Sequence, residues 1–537
     1  MTGSDDKERR VVEYRRCGVW PEDPIGHVLG AAARRWPDRE LLSFESVHYS
    51  YAQIWDWTLA VAHALVQSGV GPGDRVLLQL GNCLELIVTQ LAAWRIGAVS
   101  VPVVPIYRAH EMRHIIGDSA PRVLVTMAAV GARKPWQELD ELLPPSDRPL
   151  LKILVGEDPE AFARGWVRPT QQPVSRIEDA GLPDPSQPDA VSLILYTSGT
   201  TSLPKGAMLT GRALLSNADS WVNVYGLNDR DVSLGGSPLA HIAALAAAFL
   251  IPVRAGGRTV ILPRWDADAA VGAIAREGVT FMAGAAVFLS DLVERFEKSG
   301  DKPTRLCFLS GGAATPPTLV ERAQAVGICA IRCYGMTETA GACSLGLPDA
   351  SLELRAHCDG RPAPGTEFRI VDDAGRALPP GAIGRVLVQS AQLMQGYTDS
   401  QITASQLSGD GWFDTGDLGY LDAEGWFHMA GRTKDIINRG GEKFSSMDIE
   451  QAVAGHPDVS SVAVIGVPHE RLGEAVAAFV VLRANARWNG PETLIAHLER
   501  SALARQKIPA HWVVVDSLPT TASGKVQKAK LAEQFPG

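Results

Sequence analysis

The stretch Tyr196-Thr-Ser-Gly-Thr-Thr-Ser-Leu-Pro-Lys-Gly206 follows directly on the apolar run Val-Ser-Leu-Ile-Leu. Its five aliphatic hydroxyls, two glycines and lysine offer N–H, O–H and ammonium donors that can surround polyphosphate oxygens. Taken alone, such a loop is as readily a polar surface turn. It is not a Walker A loop, because G-x-x-x-x-G-K-[ST] cannot be laid on it. Other short stretches carry reactive groups: Tyr334-Gly-Met-Thr-Glu-Thr339, Phe413-Asp-Thr-Gly-Asp417, the charged, glycine-containing run Gly431 to Glu450, and Pro519 to Lys528. Ser310-Gly-Gly-Ala-Ala314 follows an apolar run, and Ser237-Pro-Leu-Ala-His241 precedes one. Singly, each has an ordinary structural explanation: a solvated Thr-Glu pair, an aspartate in a turn, a domain linker, a surface lysine, a packed histidine.

The elements that must hold these stretches are legible from pattern. From about Asp74 the chain alternates strand-like and helix-like segments: RVLLQL, ELIVTQLAAWRIG, AVSVPVV. The alternation resumes at RTVILP and runs through VTFMAG, RLCFLS and ICAIRC, with helices expected near 288–298 and 317–326. Parallel sheets with helical crossovers follow from that order. Residues 360–430 change to short strands between Pro/Gly turns, which predicts an antiparallel or barrel-like subdomain. The last hundred or so residues mix helices near 448–454 and 492–504 with the strands SVAVIGV and AAFVVL, a smaller α+β domain. The Pro-rich stretch 143–190 is expected to be irregular connection.

At 537 residues more than one domain is expected. A composition 46% hydrophobic and 21% charged is that of a globular protein, and a net charge of -9 gives no general basic footprint for nucleic acid. Seven cysteines lack C-x-x-C spacing and the density of a disulfide scaffold, so a reducing cytoplasm is the expected setting. The charged N-terminal stretch has no apolar signal region, and the longest apolar run, Ile242 to Val253, is too short to span a bilayer, so no integral membrane segment is expected.

Taken together and in this order, the motifs resemble those of the adenylate-forming superfamily, which includes acyl-CoA synthetases, peptide-synthetase adenylation domains and luciferases. The resemblance extends over nearly the whole chain, with Ser202 standing where the family commonly has glycine. It implies that Thr197, Ser198, Gly199, Thr200, Thr201 and Lys205 bind the phosphates of ATP. Tyr334 and Gly335 would adjoin the adenine, and Thr337 would meet the α-phosphate region. Glu338, with Thr197, would bind Mg²⁺, a hard cation suited to carboxylate and phosphate oxygens. Asp417 would accept the two ribose hydroxyls, and Arg432 would lie near the nucleotide. Gly312 and Ala313 would border adenine and acyl pocket, and His241 the acyl carboxylate. The resemblance makes Lys434 the hinge, Gly440 and Gly441 the lining of a pantetheine tunnel, and Lys525 the lysine that stabilises charge during adenylation. Lys528 is expected to be a surface residue.

The implied fold is an N-terminal AMP-binding domain, residues 1–431, with parallel α/β subdomains and a β-rich subdomain, followed by a small mobile C-terminal α+β domain, residues 432–537. The implied activity is ligation of a carboxylic acid to coenzyme A through an acyl-AMP, with the C-terminal domain alternating between the two steps. The rivals are a stand-alone adenylation enzyme that loads a carrier protein's phosphopantetheine and a non-catalytic nucleotide-binding relative. The wording INRGGEK resembles that of aryl-acid ligases, whereas Ile242 after His241 argues for a less polar acyl group. Trp221, the run 243–248 and the loop Gly284 to Phe288 are further pocket residues to be placed, and a homodimer is left open.

Overall fold

The computed structural model describes residues 3–143, 150–185, 187–197, 203–439, 442–484, 486–501, 503–521 and 524–535. Two large sheets dominate it. In the seven-stranded sheet, Val99–Val103, Arg75–Gln79, Val123–Met127 and Leu151–Val155 run parallel, and Val191–Thr197, Lys205–Thr210 and Gly396–Tyr397 complete it on one side. In the nine-stranded sheet, the inner strands Ile328–Met336, Leu306–Ser310, Phe281–Gly284, Val232–Gly235 and Arg258–Ile261 are parallel. Antiparallel pairs close its edges. Strands covered on both faces read as nearly unbroken apolar runs, which is why VLLQ and CFL lack alternation.

Helices lie between these sheets. Helix Leu84–Arg95 buries every residue except Glu85, so its sequence is apolar nearly all round. The run from Ile242 is likewise buried; it turns as helix Ile242–Leu245, a π-helical turn Ala246–Leu250 and helix Ile251–Ala255, and stops at Gly256 with φ +74°. Residues Leu84–Arg95, Gly211–Tyr225 and this run contribute to one large core that also holds Trp94 and Trp221.

Two smaller sheets follow. Thr366–Val371, Gly384–Ser390, Phe413–Leu421 and Phe427–Arg432 form an antiparallel four-stranded sheet, as the Pro/Gly turns predict. Beyond Arg432, Ile436–Arg439, Glu442–Ser445, Val459–His469 and Gly473–Leu482 pair antiparallel, His511–Val514 joins in parallel, and helices Ser446–Ala454 and Glu492–Arg500 cover a separate core. The mixed α/β class with a distinct C-terminal α+β unit is therefore as expected. The stretch 143–190 differs from expectation. It holds strand Leu151–Val155, which the apolar LKILV pattern lets pair beside Val123–Met127, and a short helix Pro159–Ala163 started by Pro159 and capped by Asp158. No helix among the described residues is long and apolar enough to cross a membrane.

One buried ion pair ties the nine-stranded sheet to the four-stranded one. Arg332 donates from Nε (2.9 Å) and Nη2 (2.7 Å) to Asp359 Oδ1, while Asp359 Oδ2 accepts from the Met429 backbone N–H at 2.9 Å. The Arg332 and Asp359 side chains are 6% and 10% exposed, so removing one partner leaves an uncompensated buried charge. Asp359→Ala is expected to destabilise the protein by about 3–5 kcal/mol, read as a lowered denaturation midpoint. A shift worth less than ~1 kcal/mol, the range of a surface pair, would show that the tie is dispensable.

Candidate active site

The polar loop springs from a hairpin. Strands Val191–Thr197 and Lys205–Thr210 pair antiparallel with Thr197 opposite Lys205, so both ends of the loop are fixed side by side on the sheet. Tyr196 anchors the first end by donating to Asp118 Oδ2 at 2.5 Å, and His114 Nε2 donates to the Pro204 carbonyl at 2.8 Å. Ser198, Gly199, Thr200 and Thr201 lie outside the described residues, as do Gly440 and Gly441.

Lys205 reaches across to the strand Gly396–Tyr397, its ammonium 5.6 Å from the centre of the Tyr397 ring. The Tyr397 hydroxyl in turn donates to Glu338 Oε1 at 2.7 Å. Burial, with Glu338 adding to it, holds the Tyr397 phenol far above the ordinary tyrosine value, so it remains a donor. Glu338 sits in the tight turn Thr337–Thr339 at the end of strand Ile328–Met336, and its backbone carbonyl accepts from Met394 N–H at 2.7 Å. The turn needs Gly335: a Cβ there would stand 2.2 Å from the Gly341 carbonyl oxygen. One oxygen of Glu338 is thereby engaged, and the carboxylate retains acceptor capacity for a hard cation.

Asp417 forms the second node. It is 2% exposed and accepts from the Tyr334 hydroxyl (2.8 Å, Oδ2) and from Arg432 Nε (2.8 Å, Oδ1). Tyr334 packs against Phe427 and Phe368, with ring centroids 4.8 and 6.0 Å away. Burial opposes the charge on Arg432, but the pair with Asp417 outweighs it and leaves the guanidinium above its usual value.

The turn carrying His241 is held by a residue that no motif marks. Asn82 donates from Nδ2 to the carbonyls of Ser237 and Leu262, both at 3.0 Å, and accepts from Leu239 N–H at 2.8 Å. His241 Nε2 is buried and has no hydrogen-bond partner among the described residues. Burial, and then the charge of Lys525, push the imidazole down to about 4. The Ser310–Ala314 loop lies alongside: Gly311 donates to the Gly284 carbonyl at 3.1 Å, and a Cβ on Gly311 would meet Cys333 Sγ at 2.5 Å. Gly312, with φ +78°, and Ala313 follow on its exposed side.

The last group arrives from the C-terminal unit. Gly524, with φ +82°, packs so closely on the first turn of helix Ala286–Ser299 that a Cβ would lie 2.8 Å from Val287 Cγ1. This brings Lys525 to the cleft, where its side chain stays exposed. Desolvation by the surrounding protein, followed by Arg432, lowers its pKa, while Asp417 and Glu338 act in the opposite sense. Lys434 is lowered too, by burial and then by Arg432. Electrostatic interactions thus link Lys525 with Glu338, Asp417, Arg432, Lys434 and His241 in one cleft.

The model of the AMP-binding enzyme family matches residues 29–398, and that of the AMP-binding enzyme C-terminal domain matches residues 448–525. The chain belongs to the AMP-binding enzyme family. This AMP-binding enzyme is 32% identical to the medium-chain fatty-acid–CoA ligase of Escherichia coli K12, over 98% of this chain and 93% of that one. It is 33% identical to the indoleacetate–CoA ligase of Aromatoleum aromaticum, over 95% and 96%. The o-succinylbenzoate CoA synthetase of Bacillus subtilis, solved with its acyl-adenylate intermediate, superposes with a TM-score of 0.81 at 27% identity, covering 95% of this chain and 98% of that one.

Among the residues weighed for an acyl pocket, Phe288 packs edge-on to Trp265 at 4.9 Å, in the core. Trp221 is buried against Tyr225 and Phe281, with no hydrogen-bond partner for its Nε1 among the described residues. Lys528 is not the free surface lysine expected: it donates to Glu450 Oε1 and Ser446 Oγ, both at 2.7 Å. Tyr397 and Asn82 are the residues that sequence motifs miss.

His241 protonates near 6.5 when unfolded and only at about 4 in the fold, so the imidazole is neutral at pH 7. Protonation on unfolding makes this group cost stability as pH falls from 6.5 towards 4. NMR of ring-labelled histidine in the unliganded enzyme is expected to show this imidazole neutral at pH 5.5. A midpoint near 6.5 would contradict the buried placement.

Proposed function

We propose that this enzyme is an ATP-dependent carboxylate–CoA ligase that forms an acyl-AMP and then transfers the acyl group to the thiol of coenzyme A. The observation that carries the reading is the convergence of Lys525, from the C-terminal unit, with Glu338, Asp417 and Arg432, from the preceding sheets, on one cleft. The relatives' names give coenzyme A as the acceptor, and this favours it over a carrier-protein arm.

In the first step, a carboxylate oxygen attacks the α-phosphorus of ATP and the bond to pyrophosphate breaks. The hairpin loop after Thr197, with Lys205, holds the leaving phosphates by charge-assisted hydrogen bonds. Glu338, oriented by Tyr397, and Thr197 would hold Mg²⁺, which neutralises phosphate charge when bound. Asp417 accepts the ribose hydroxyls while Tyr334 and Arg432 fix its orientation. Lys525 meets the negative charge that grows between carboxylate and α-phosphate. His241, neutral and without a competing partner among the described residues, borders the acyl carboxylate.

In the second step, the thiol sulfur attacks the acyl carbon and AMP leaves. Residues 432–537 act as a domain that turns about a hinge at Lys434, withdrawing Lys525 and bringing Gly440 and Gly441 to the cleft. One cleft then serves two sets of requirements in turn.

The test separates the half-reactions. Lys525→Ala is expected to slow acyl-AMP formation by a factor of about 10²–10³, the cost of losing one well-placed stabilising group. The same variant, given synthetic acyl-AMP and coenzyme A, is expected to form thioester at a rate near wild type. Single-turnover kinetics of each step measure both. Equal loss in both steps would refute the alternation, and normal adenylation would remove Lys525 from the site.

A further inference from the structure

Away from the cleft, on the outer side of the four-stranded sheet, the side chains of Cys358, Asp422 and His428 bring a thiol, a carboxylate oxygen and an imidazole nitrogen within 4.8 Å of one another. His428 Nε2 lies 3.0 Å from Asp422 Oδ2 and 3.7 Å from Cys358 Sγ. We infer that these three side chains form a binding site for a thiophilic divalent cation, of which Zn²⁺ is the best match, that clamps the hairpin bearing Asp417 and Arg432.

The geometry is that of a metal site rather than of a nucleophile relay. In a relay, the two imidazole nitrogens face different partners. Here a single nitrogen, Nε2, faces both the thiol and the carboxylate. The other nitrogen, Nδ1, stands 3.2 Å from the His357 backbone carbonyl, which can only accept, so Nδ1 carries a proton; Nε2 then either donates a second proton to Asp422 or gives its lone pair to a cation. That arrangement, with the distal N–H given to a carbonyl, is how metal-ligating histidines are held. A lone pair set 3.0 Å from a carboxylate oxygen needs a cation between or beside them, either a proton or a metal.

Each donor is positioned by other groups. Asp422 Oδ1 accepts from the Glu424 (3.1 Å) and Trp426 (2.8 Å) backbone N–H groups, so the hairpin turn orients the carboxylate and aims Oδ2 at the histidine. Tyr420 stacks flat on the His428 ring, centroid to centroid 4.5 Å and 4° from parallel. Cys358 is fixed at the end of helix Leu352–His357, its N–H bonded to the Leu354 carbonyl at 2.9 Å. Arg332, whose charge reaches Cys358, is committed to Asp359 and does not supply the cation.

The donor set decides the metal class. Sulfur, nitrogen and oxygen from three side chains suit Zn²⁺ in a tetrahedral site with one further position, whereas Mg²⁺ and Ca²⁺ demand oxygen throughout. Bond lengths of about 2.0–2.3 Å place such donors roughly 3.3–3.6 Å apart, so no pair need close by more than about 1.5 Å on binding. The Asp422 and His428 side chains are 25% and 17% exposed, which leaves an entry path. The ion would join the end of helix Leu352–His357 to strands Phe413–Leu421 and Phe427–Arg432, adding to the hydrogen bonds between residues 359–360 and Phe427.

The probe is Co²⁺, added to chelator-stripped full-length protein in excess Mg²⁺ so that oxygen-only sites are filled. A near-ultraviolet sulfur-to-cobalt charge-transfer band should grow to one equivalent and be displaced by Zn²⁺. Cys358→Ser should abolish the band, and His428→Gln should weaken Zn²⁺ binding at least tenfold in competition with a chromophoric chelator, with circular dichroism confirming the fold. If Cys358→Ser does not fold, Asp422→Asn, which keeps the turn acceptor, should retain the band and lose at least tenfold in affinity. Absence of the band in the wild type would mean that a proton holds Asp422 to His428, and would overturn the proposal. A band that survives Cys358→Ser, or affinities unchanged in the other two variants, would overturn it as well.

Discussion

The seating of Lys525 is the constraint on which the rest of the cleft depends. A lysine ammonium is strongly hydrated, and placing it against protein beside a second cation, Arg432, works against its charged form. The chain accepts this because Asp417 and Glu338 offset part of the repulsion. The loop can come this close because Gly524 has no side chain to strike Val287 and adopts a left-handed φ that other residues resist. A cleft that gathers Lys525, Arg432, Lys434 and Lys205 around two carboxylates is matched to an anionic ligand. Polyphosphate and carboxylate groups complete its charge balance.

The carboxylates serve as joints between sheets as well as the ligand groups proposed above. Asp417 on the four-stranded sheet accepts from Tyr334 on the nine-stranded sheet, and Glu338 on the latter accepts from Tyr397 on the seven-stranded one. Both tyrosines are buried donors, so each carboxylate is oriented before any ligand arrives and loses little freedom on binding. Arg332 and Asp359 brace the same junction from behind. These groups thus stand on three sheets whose relative positions are fixed by a few buried polar contacts.

Much of this was legible in the sequence where chemistry is local. Gly335, Glu338 and Asp417 stand out because their short motifs, in order, resemble those of the adenylate-forming superfamily, and the βα alternation predicts the sheets. What stayed hidden depends on distant contact. Asn82 carries no motif, yet two of its three hydrogen bonds hold the turn that bears His241 and the third ties that turn to Leu262. Tyr397 lies far along the chain from Glu338 and looks like any tyrosine after glycine. Lys528 was misread for the same reason, since its partners Glu450 and Ser446 are brought near by folding of the C-terminal unit. Strand Leu151–Val155 was obscured by the prolines around it, although its own apolar pattern suffices to extend the sheet.

The central claim is that the carboxylate attacks the α-phosphorus, so that one of its oxygens leaves with AMP. Turnover of an ¹⁸O-labelled carboxylic acid, with ATP, Mg²⁺ and coenzyme A, followed by mass spectrometry of the nucleotide, reads that event directly. The account predicts one ¹⁸O in AMP and none in pyrophosphate. Label in orthophosphate with release of ADP, or unlabelled AMP beside a normal yield of thioester, would contradict it.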